Sequence, residues 1–210
     1  MSDQPFVDRR GFFKKIFGGS TVSRSFFAIQ VVFDAAGQEE IRSQIQRVID
    51  APGDESVEEK RSMYKRLVAT LVEAEPFFEY GYFEYVTGVE AAQEAFDQWV
   101  LDIEAAFAAE EEEIGEEIDG YRRISNSQRY IVVSALFLIE GAHPFHGQEM
   151  AQSEIYTRAG MGKLLDSINR LNFTRVMADA TYLVPGSPED GFSWSDFADE
   201  GWSYLVSLPF

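Results

Sequence analysis

The sequence has 210 residues with 36 acidic and 18 basic side chains, and the resulting net charge of −18 at pH 7 argues against general binding to DNA or RNA. Apolar residues make up 45% of the chain and aromatic residues 14%, which is enough for a folded core and too much for a disordered acidic protein. The lack of cysteine excludes disulfides, thiolate metal sites and cysteine nucleophiles.

The charge is distributed unevenly along the chain. Residues 1–25 contain five basic and two acidic side chains, a net charge of +3, and the rest contains 13 basic and 34 acidic ones, a net charge of −21. Such an asymmetry is typical of a segment that has its own binding partner or acts as a targeting signal. We therefore predict a basic, Phe-rich leader over residues 1–24 and a single α+β domain over residues 25–210.

The first part of the domain predicts two strands separated by two helices. The run Phe26–Phe33 is rich in β-branched and aromatic residues, as in a buried strand. Apolar residues then recur at helical spacing over residues 38–50, and Ser56 begins a capping-box pattern that predicts the second helix. The aromatic run Phe77–Val86 predicts the next strand, with Gly81 as a candidate bulge.

The remaining elements follow the same two periodicities. Val89–Phe107 has the clearest helical pattern of the chain, and we expect this long helix to cover the preceding aromatic strand. The apolar run Tyr130–Ile139 is too short to cross a bilayer and predicts the central strand, buried on both faces. A helix over Met161–Leu171, a strand over Phe173–Val184 and a short C-terminal helix capped by Ser193 complete the prediction.

Together these elements predict an α+β fold. If the long helix is treated as an insertion over residues 88–120, the remaining order is βαββαβ. That order is the ferredoxin-like arrangement, an antiparallel sheet with helices on one face. The short C-terminal helix is then an addition to this fold, and the fold by itself decides no function.

The second half of the chain resembles the domain of unknown function 1517 family. The resemblance lies in the apolar strand YIVVSALFLIEG, the helix GMGKLLDSINRL, the strand and proline-containing segment MADATYLVPGSPEDGFSWSDF and the closing YLVSLPF. It covers residues 25–210 in layout and mainly the last 80 residues, 130–210, in residue pattern. The signal is a pattern of strands and turns without catalytic residues.

The resemblance implies a structural or regulatory interaction protein. Plant members of the family look like thylakoid-membrane proteins involved in acclimation to fluctuating light, with membrane segments outside the domain. This sequence contains no long apolar span, so that role is not carried over. The family supplies no established catalytic residue to transfer to a position of this chain.

The leader contains the candidate binding residues. Its DRRGFFKK run is close to a twin-arginine export pattern, but the next apolar run is the first predicted strand, so export and folding would compete for the same residues. A basic amphipathic anchor on anionic lipid, a docking peptide for a partner groove and a disordered or locally packed tail are the other interpretations. The candidate partner- or membrane-binding residues are Phe6, Arg9, Arg10, Phe12, Phe13, Lys14, Lys15 and Phe17.

Two histidines form the second candidate site. His143 and His146 stand three residues apart in a loop, with Glu149 three further on, and two imidazoles with a carboxylate can hold zinc or iron. Pro144 prevents a helix from placing the two histidines on one face, and the sequence has no third histidine. Local hydrogen bonding of the histidines at the end of the strand is therefore the favoured interpretation. The alternative is a metal-assisted hydrolase that uses this loop.

The run AEEEEIGEEID lacks the ligand spacing of a calcium loop and predicts a solvated helix end or loop. We therefore expect a cytoplasmic, non-enzymatic interaction, scaffold or regulatory protein, with membrane association through the leader left open and export as a minor alternative. A protein partner is expected, peripheral membrane contact and homo-oligomers are compatible with the sequence, and neither nucleic-acid binding nor a cofactor is expected.

Overall fold

Five antiparallel strands form one sheet in the computed structural model, which describes residues 22–34, 38–51, 56–114, 130–148, 150–184 and 202–209. In spatial order the strands run β4, β3, β1, β2 and β5, so β1 lies in the middle. Their bounds are Arg24–Asp34 for β1, Phe78–Thr87 for β2, Tyr130–Glu140 for β3, Val176–Val184 for β4 and Val206–Ser207 for β5.

Five α-helices connect these strands within the part of the chain that the structure describes. Their bounds are Glu39–Ile49 for α1, Val57–Glu73 for α2, Val89–Ile114 for α3, Gln152–Ile155 for α4 and Arg158–Ile168 for α5. The predicted start of α2 is confirmed, because the Ser56 hydroxyl accepts a hydrogen bond from the Glu59 backbone N–H at 3.2 Å. The last predicted strand begins later than expected, since residues 173–175 form a 3-10 turn.

The two apolar strands predicted from composition occupy the interior of the sheet. Every residue of β1 except its two ends is buried, and β3 is buried from Tyr130 to Ile139. The two strands pair antiparallel along their whole length, with Phe27 opposite Phe137. The expectation that β3 would be the central strand was wrong by one position, because β1 is the third of the five strands and β3 is the second.

Alternate residues of each strand enter two different cores. One face, with Phe27 and Phe137, packs against α2 and α5. The opposite face, with Phe26 and Leu136, packs against α3 through Trp99 and against the C-terminal segment through Tyr204. The helices other than α3 therefore share one face, as predicted for the elements other than the long helix, and α3 covers the opposite face.

The ferredoxin-like order is not observed, and the connections explain why. A single helix between two strands takes the chain back to the end of the sheet where the first strand began, so the next strand runs parallel to the first. A pair of helices takes the chain back and then forth again, so β2 starts at the end where β1 finished and runs antiparallel to it. The α+β class is confirmed, but the split βαβ unit is β2, α3 and β3, with β1 between the two parallel strands. The long helix is thus the crossover connection of the fold.

The bulge of β2 does not lie at Gly81, where it was predicted. The register of β2 shifts between the pairs Val32 with Tyr80 and Phe33 with Phe78, which leaves Glu79 as the extra residue. Gly81 has a packing role instead, since a Cβ atom there would lie 2.9 Å from the Met161 Cε. The glycine lets α5 approach the sheet.

A buried hydrogen-bond chain fixes the C-terminal segment to the middle of the sheet. Tyr204 donates from its hydroxyl to Gln30 Oε1 at 2.6 Å, and Gln30 Nε2 donates to Ser134 Oγ at 2.9 Å. Gln30 and Ser134 are directly opposite each other in the strand register and both are buried. Unpaired polar groups are costly in the interior, so the buried Gln30 amide favours the one arrangement of the C-terminal segment and the strands in which it is hydrogen-bonded.

We expect Tyr204→Phe to lower the free energy of unfolding by about 1–3 kcal/mol, because Gln30 Oε1 would lose its buried donor. In a Gln30→Met background the same substitution should cost much less, since no acceptor is left unpaired. Urea unfolding of the four proteins of this cycle measures the coupling. Equal costs in both backgrounds would show that the hydrogen bond does not stabilise the fold.

Gly160→Ala should destabilise the protein by about 3 kcal/mol, as measured by urea unfolding. A Cβ atom at Gly160 would collide with the backbone carbonyl oxygens of Glu154 and Ile155, which cannot rotate away. Gly162→Ala, in the same helix, is the matched control because it meets only the end of the Glu75 side chain. A larger loss for the control than for Gly160→Ala would contradict this explanation.

Candidate functional site

The residues 142–148 after β3, named here the histidine turn, are shaped by local backbone chemistry. The His146 N–H donates to the His143 carbonyl oxygen at 2.8 Å, which closes a four-residue turn with Pro144 at its second position. Gly141, whose φ is +95°, directly precedes the histidine turn, and Gly147, whose φ is +77°, lies near its end. Both glycines adopt a left-handed conformation that other residues rarely accept.

His143 is an interior residue of this turn. Its ring stacks on Phe27 with a centroid distance of 3.9 Å and an interplanar angle of 9°, and its exposure is 1%. Its Nδ1 accepts a hydrogen bond from the Phe145 backbone N–H at 3.1 Å. Burial, with a smaller contribution from the positive charge of Arg170, lowers the pKa of His143 to about 3. His143 is therefore a neutral imidazole in the fold.

The structure brings His146 and Tyr85 to the same place. The ring centroid of Tyr85 lies 5.7 Å from that of His146 and 6.3 Å from that of His143. Burial raises the pKa of the Tyr85 phenol, while the nearby Ser25 hydroxyl and the His143 backbone lower it by a smaller amount. The histidine turn thus closes over the ends of β1 and β2.

The contacts of His143 do not favour a metal at this turn. A nitrogen that accepts a hydrogen bond carries no hydrogen, so the neutral ring holds its hydrogen on Nε2 and offers no free lone pair there. Metal-bound histidines usually donate from the second nitrogen, which is the opposite arrangement. Glu149 lies outside the described residues, and among those that are described no group of three His, Asp, Glu or Cys side chains could hold a metal.

A small groove lies at the outer edge of β2, where pairing with β5 ends at Gly81. Its volume is about 180 Å³, below the range of about 300–1,000 Å³ that is usual for ligand pockets. Burial raises the pKa of Tyr156, one of its lining residues, to about 12, so this phenol stays protonated and is a hydrogen-bonding group rather than a base. The other lining residues are Tyr82, Gln152, Ser203, Tyr204, Leu205 and Val206.

A polar cluster joins α2 to the edge strand β4. Asp179 accepts from Lys60 Nζ at 2.7 Å and from the Tyr64 hydroxyl at 3.0 Å, and the Thr181 hydroxyl donates to the Tyr64 oxygen at 3.0 Å. Burial first, and then the Asp179 charge, raise the pKa of Tyr64 well above its usual value. All four side chains are satisfied by one another, so the cluster acts as an anchor between two elements.

The candidate residues of the leader, Phe6 to Phe17, lie outside the described residues. The structure does describe where the leader joins the domain. The Ser23 carbonyl oxygen accepts from the Gly141 N–H at 2.9 Å, and the Arg24 carbonyl oxygen accepts from the Gly88 N–H at 3.0 Å. None of the helices described is both long enough and apolar enough to cross a membrane.

Sequence reasoning missed several residues of these sites. Tyr85 was assigned to a strand, but its contact with the histidine turn depends on the position of a loop that begins more than fifty residues later. Arg170 carried no signal at all. Gln30 and Ser134 did carry one, because they are the polar interruptions of the apolar runs Phe26–Phe33 and Tyr130–Ile139, and such pairs often face each other in a sheet.

The stability of the protein should fall in acid because of His143. Its pKa drops from 6.5 to about 3 on folding, so below pH 6.5 the unfolded chain binds a proton that the folded chain does not. We expect the free energy of unfolding to be about 2 kcal/mol lower at pH 5 than at pH 7 from this residue alone. The unfolding free energy of His143→Gln should lack this part of the pH dependence, and that of His146→Gln should retain it. Identical profiles for all three proteins would contradict the assignment.

The chain matches a family model described as a protein of unknown function (DUF1517) over residues 24–200. Comparison with curated proteins finds no significant match, and comparison with solved structures finds none either. The match begins at the first residue of β1 and includes the histidine turn and all four long strands. The chain therefore belongs to the DUF1517 family.

Proposed function

We propose that this protein is a non-enzymatic interaction or scaffold protein that docks through its basic N-terminal leader. The observation that carries the proposal is the charge separation along the chain, with a net charge of +3 over residues 1–25 and of −21 over the rest. Arg9, Arg10, Lys14 and Lys15 alternate with phenylalanines, a combination suited to an acidic protein groove or an anionic lipid surface.

The junction between leader and domain supports the proposal. Backbone hydrogen bonds hold Ser23 and Arg24 against Gly141 and Gly88, the glycines that follow β3 and β2. The point from which the leader departs is therefore fixed at one end of the sheet. A docking segment attached at this point would bring this end of the sheet to the side of the partner.

The geometry of the histidine turn is the reason for preferring an interaction protein over a metal-assisted hydrolase. His143 serves the core, where it stacks on Phe27 and accepts from the Phe145 N–H. Tyr64 and Tyr156, whose pKa values are strongly raised where that of His143 is lowered, are phenols held in packing contacts. The acidic domain supports solubility, since a high net charge disfavours self-association.

Replacing Arg9, Arg10, Lys14 and Lys15 by glutamine should abolish docking and leave the domain folded. Each cation contributes about 1 kcal/mol near an anionic surface, so four replacements should weaken association with vesicles that contain phosphatidylserine by about a thousandfold. Flotation with these vesicles tests a membrane partner, and crosslinking of the full chain in cells tests a protein partner. A matched control replaces Arg47, Arg61, Lys65 and Arg66 in the folded domain.

The two arms separate the possible outcomes. Loss of vesicle association only in the leader variant supports a membrane surface, and loss of specific crosslinks only in that variant supports a protein partner. If the leader variant and a chain lacking residues 1–19 behave as the unmodified protein in both arms, the leader is not the docking segment.

A further inference from the structure

The ring of His143 is fixed in one tautomer by its contacts. Stacking on Phe27 sets the plane of the ring, and the Phe145 N–H occupies the lone pair of Nδ1. A neutral imidazole that accepts at Nδ1 carries its hydrogen on Nε2. The histidine turn therefore holds a hydrogen-bond donor at a defined position in the interior.

That donor has no acceptor among the described residues. His143 Nε2 is buried without a hydrogen-bond partner in this part of the chain, and so is His146 Nδ1, three residues further along the same turn. An unsatisfied buried polar group costs about 1–3 kcal/mol, so native structures rarely leave two of them in one turn. His143 is 1% exposed and His146 is half-buried, so the pair extends from the interior toward the surface.

The charges around the turn favour a negative ligand. The Arg170 guanidinium is close enough to disfavour protonation of His143. Arg175 lies against the first glycine of the turn region, because a Cβ atom at Gly141 would be 2.9 Å from its terminal nitrogen. Arg175 also forms a loose, exposed ion pair of 3.8 Å with Glu140. Arg175 beside Gly141 and the charge of Arg170 acting on His143 thus bring positive charge to the turn in a domain that is otherwise strongly acidic.

We propose that the histidine turn is a binding site for a small oxyanion, with His143 Nε2 donating to one oxygen, His146 contacting a second and Arg170 supplying positive charge. A divalent cation does not fit this arrangement, because the nitrogen it would need carries a hydrogen. Inorganic phosphate and acetate share the required chemistry, since each presents at least two acceptor oxygens. This site is separate from the leader and its test does not depend on leader docking.

The test is an NMR titration of the full chain with inorganic phosphate and, separately, with acetate at constant ionic strength. We expect the ring nitrogen signals to show the Nε2–H tautomer of His143, and the signals of both histidines to shift along one saturable curve. Arg170→Gln and His146→Phe should each weaken binding about tenfold, the loss expected for one charge-assisted contact. Arg47→Gln, at an exposed arginine of α1, should leave binding unchanged.

The outcomes either support or overturn the proposal. Saturation by phosphate or by acetate supports it, and the difference between the two identifies the class of oxyanion. Backbone amide spectra establish that each variant is folded, and Arg170 is exposed, so its replacement does not disturb the core. The proposal is wrong if the hydrogen of His143 lies on Nδ1, or if neither anion gives a saturable shift because a buried water alone accepts from Nε2.

Discussion

The pairing of β1 with β2 on one side and β3 on the other is the constraint on which the rest of the structure depends. All described layers meet at β1, because its alternate residues enter both cores. Phe26 packs beneath α3, and Phe27 supports the ring of His143 on the opposite face. A strand buried on both faces stabilises the fold only when both of its neighbours and both helical layers are in place.

The crossover of α3 above β1 explains why the two faces differ. Among the described residues, several helices and the histidine turn cover one face, whereas one long helix and the segment 202–209 cover the other. Trp99 of α3 donates from its Nε1 to Glu84 Oε2 at 2.7 Å, and Tyr204 reaches Gln30 in the middle of the sheet. Polar contacts therefore fix the positions of α3 and the segment 202–209 on the sheet, since apolar packing alone is not directional.

Composition and periodicity predicted the helices and strands well. A strand that is buried on both faces has a long apolar run, and a helix that is buried on one face has apolar residues at a 3.6-residue repeat. The strands around Phe26 and Tyr130 and the start of α2 at Ser56 are examples. Their spatial order was not predictable in the same way. The direction of β2 depends on how two helices fold back on each other, and this is a tertiary property that no local pattern records.

The candidate site was predictable only in part. The spacing of His143 and His146 indicated a local turn, but the tautomer of His143 depends on the Phe145 N–H, and its charge state depends on Phe27 and Arg170. Phe27 and Arg170 come from distant parts of the chain, whereas Phe145 belongs to the turn itself. The charge asymmetry of residues 1–25 is visible in the sequence alone, because charge is read directly from residue types.

The central position of β1 has a consequence for how the chain folds during synthesis. It is made before the other strands that the structure describes, yet Gln30 contacts Ser134 and Tyr204, which follow 104 and 174 residues later. Contacts of such high sequence separation slow folding, since a long loop must close before they form. The apolar run Phe26–Phe33 is therefore synthesised long before these partners, and apolar segments that lack their partners are prone to aggregate.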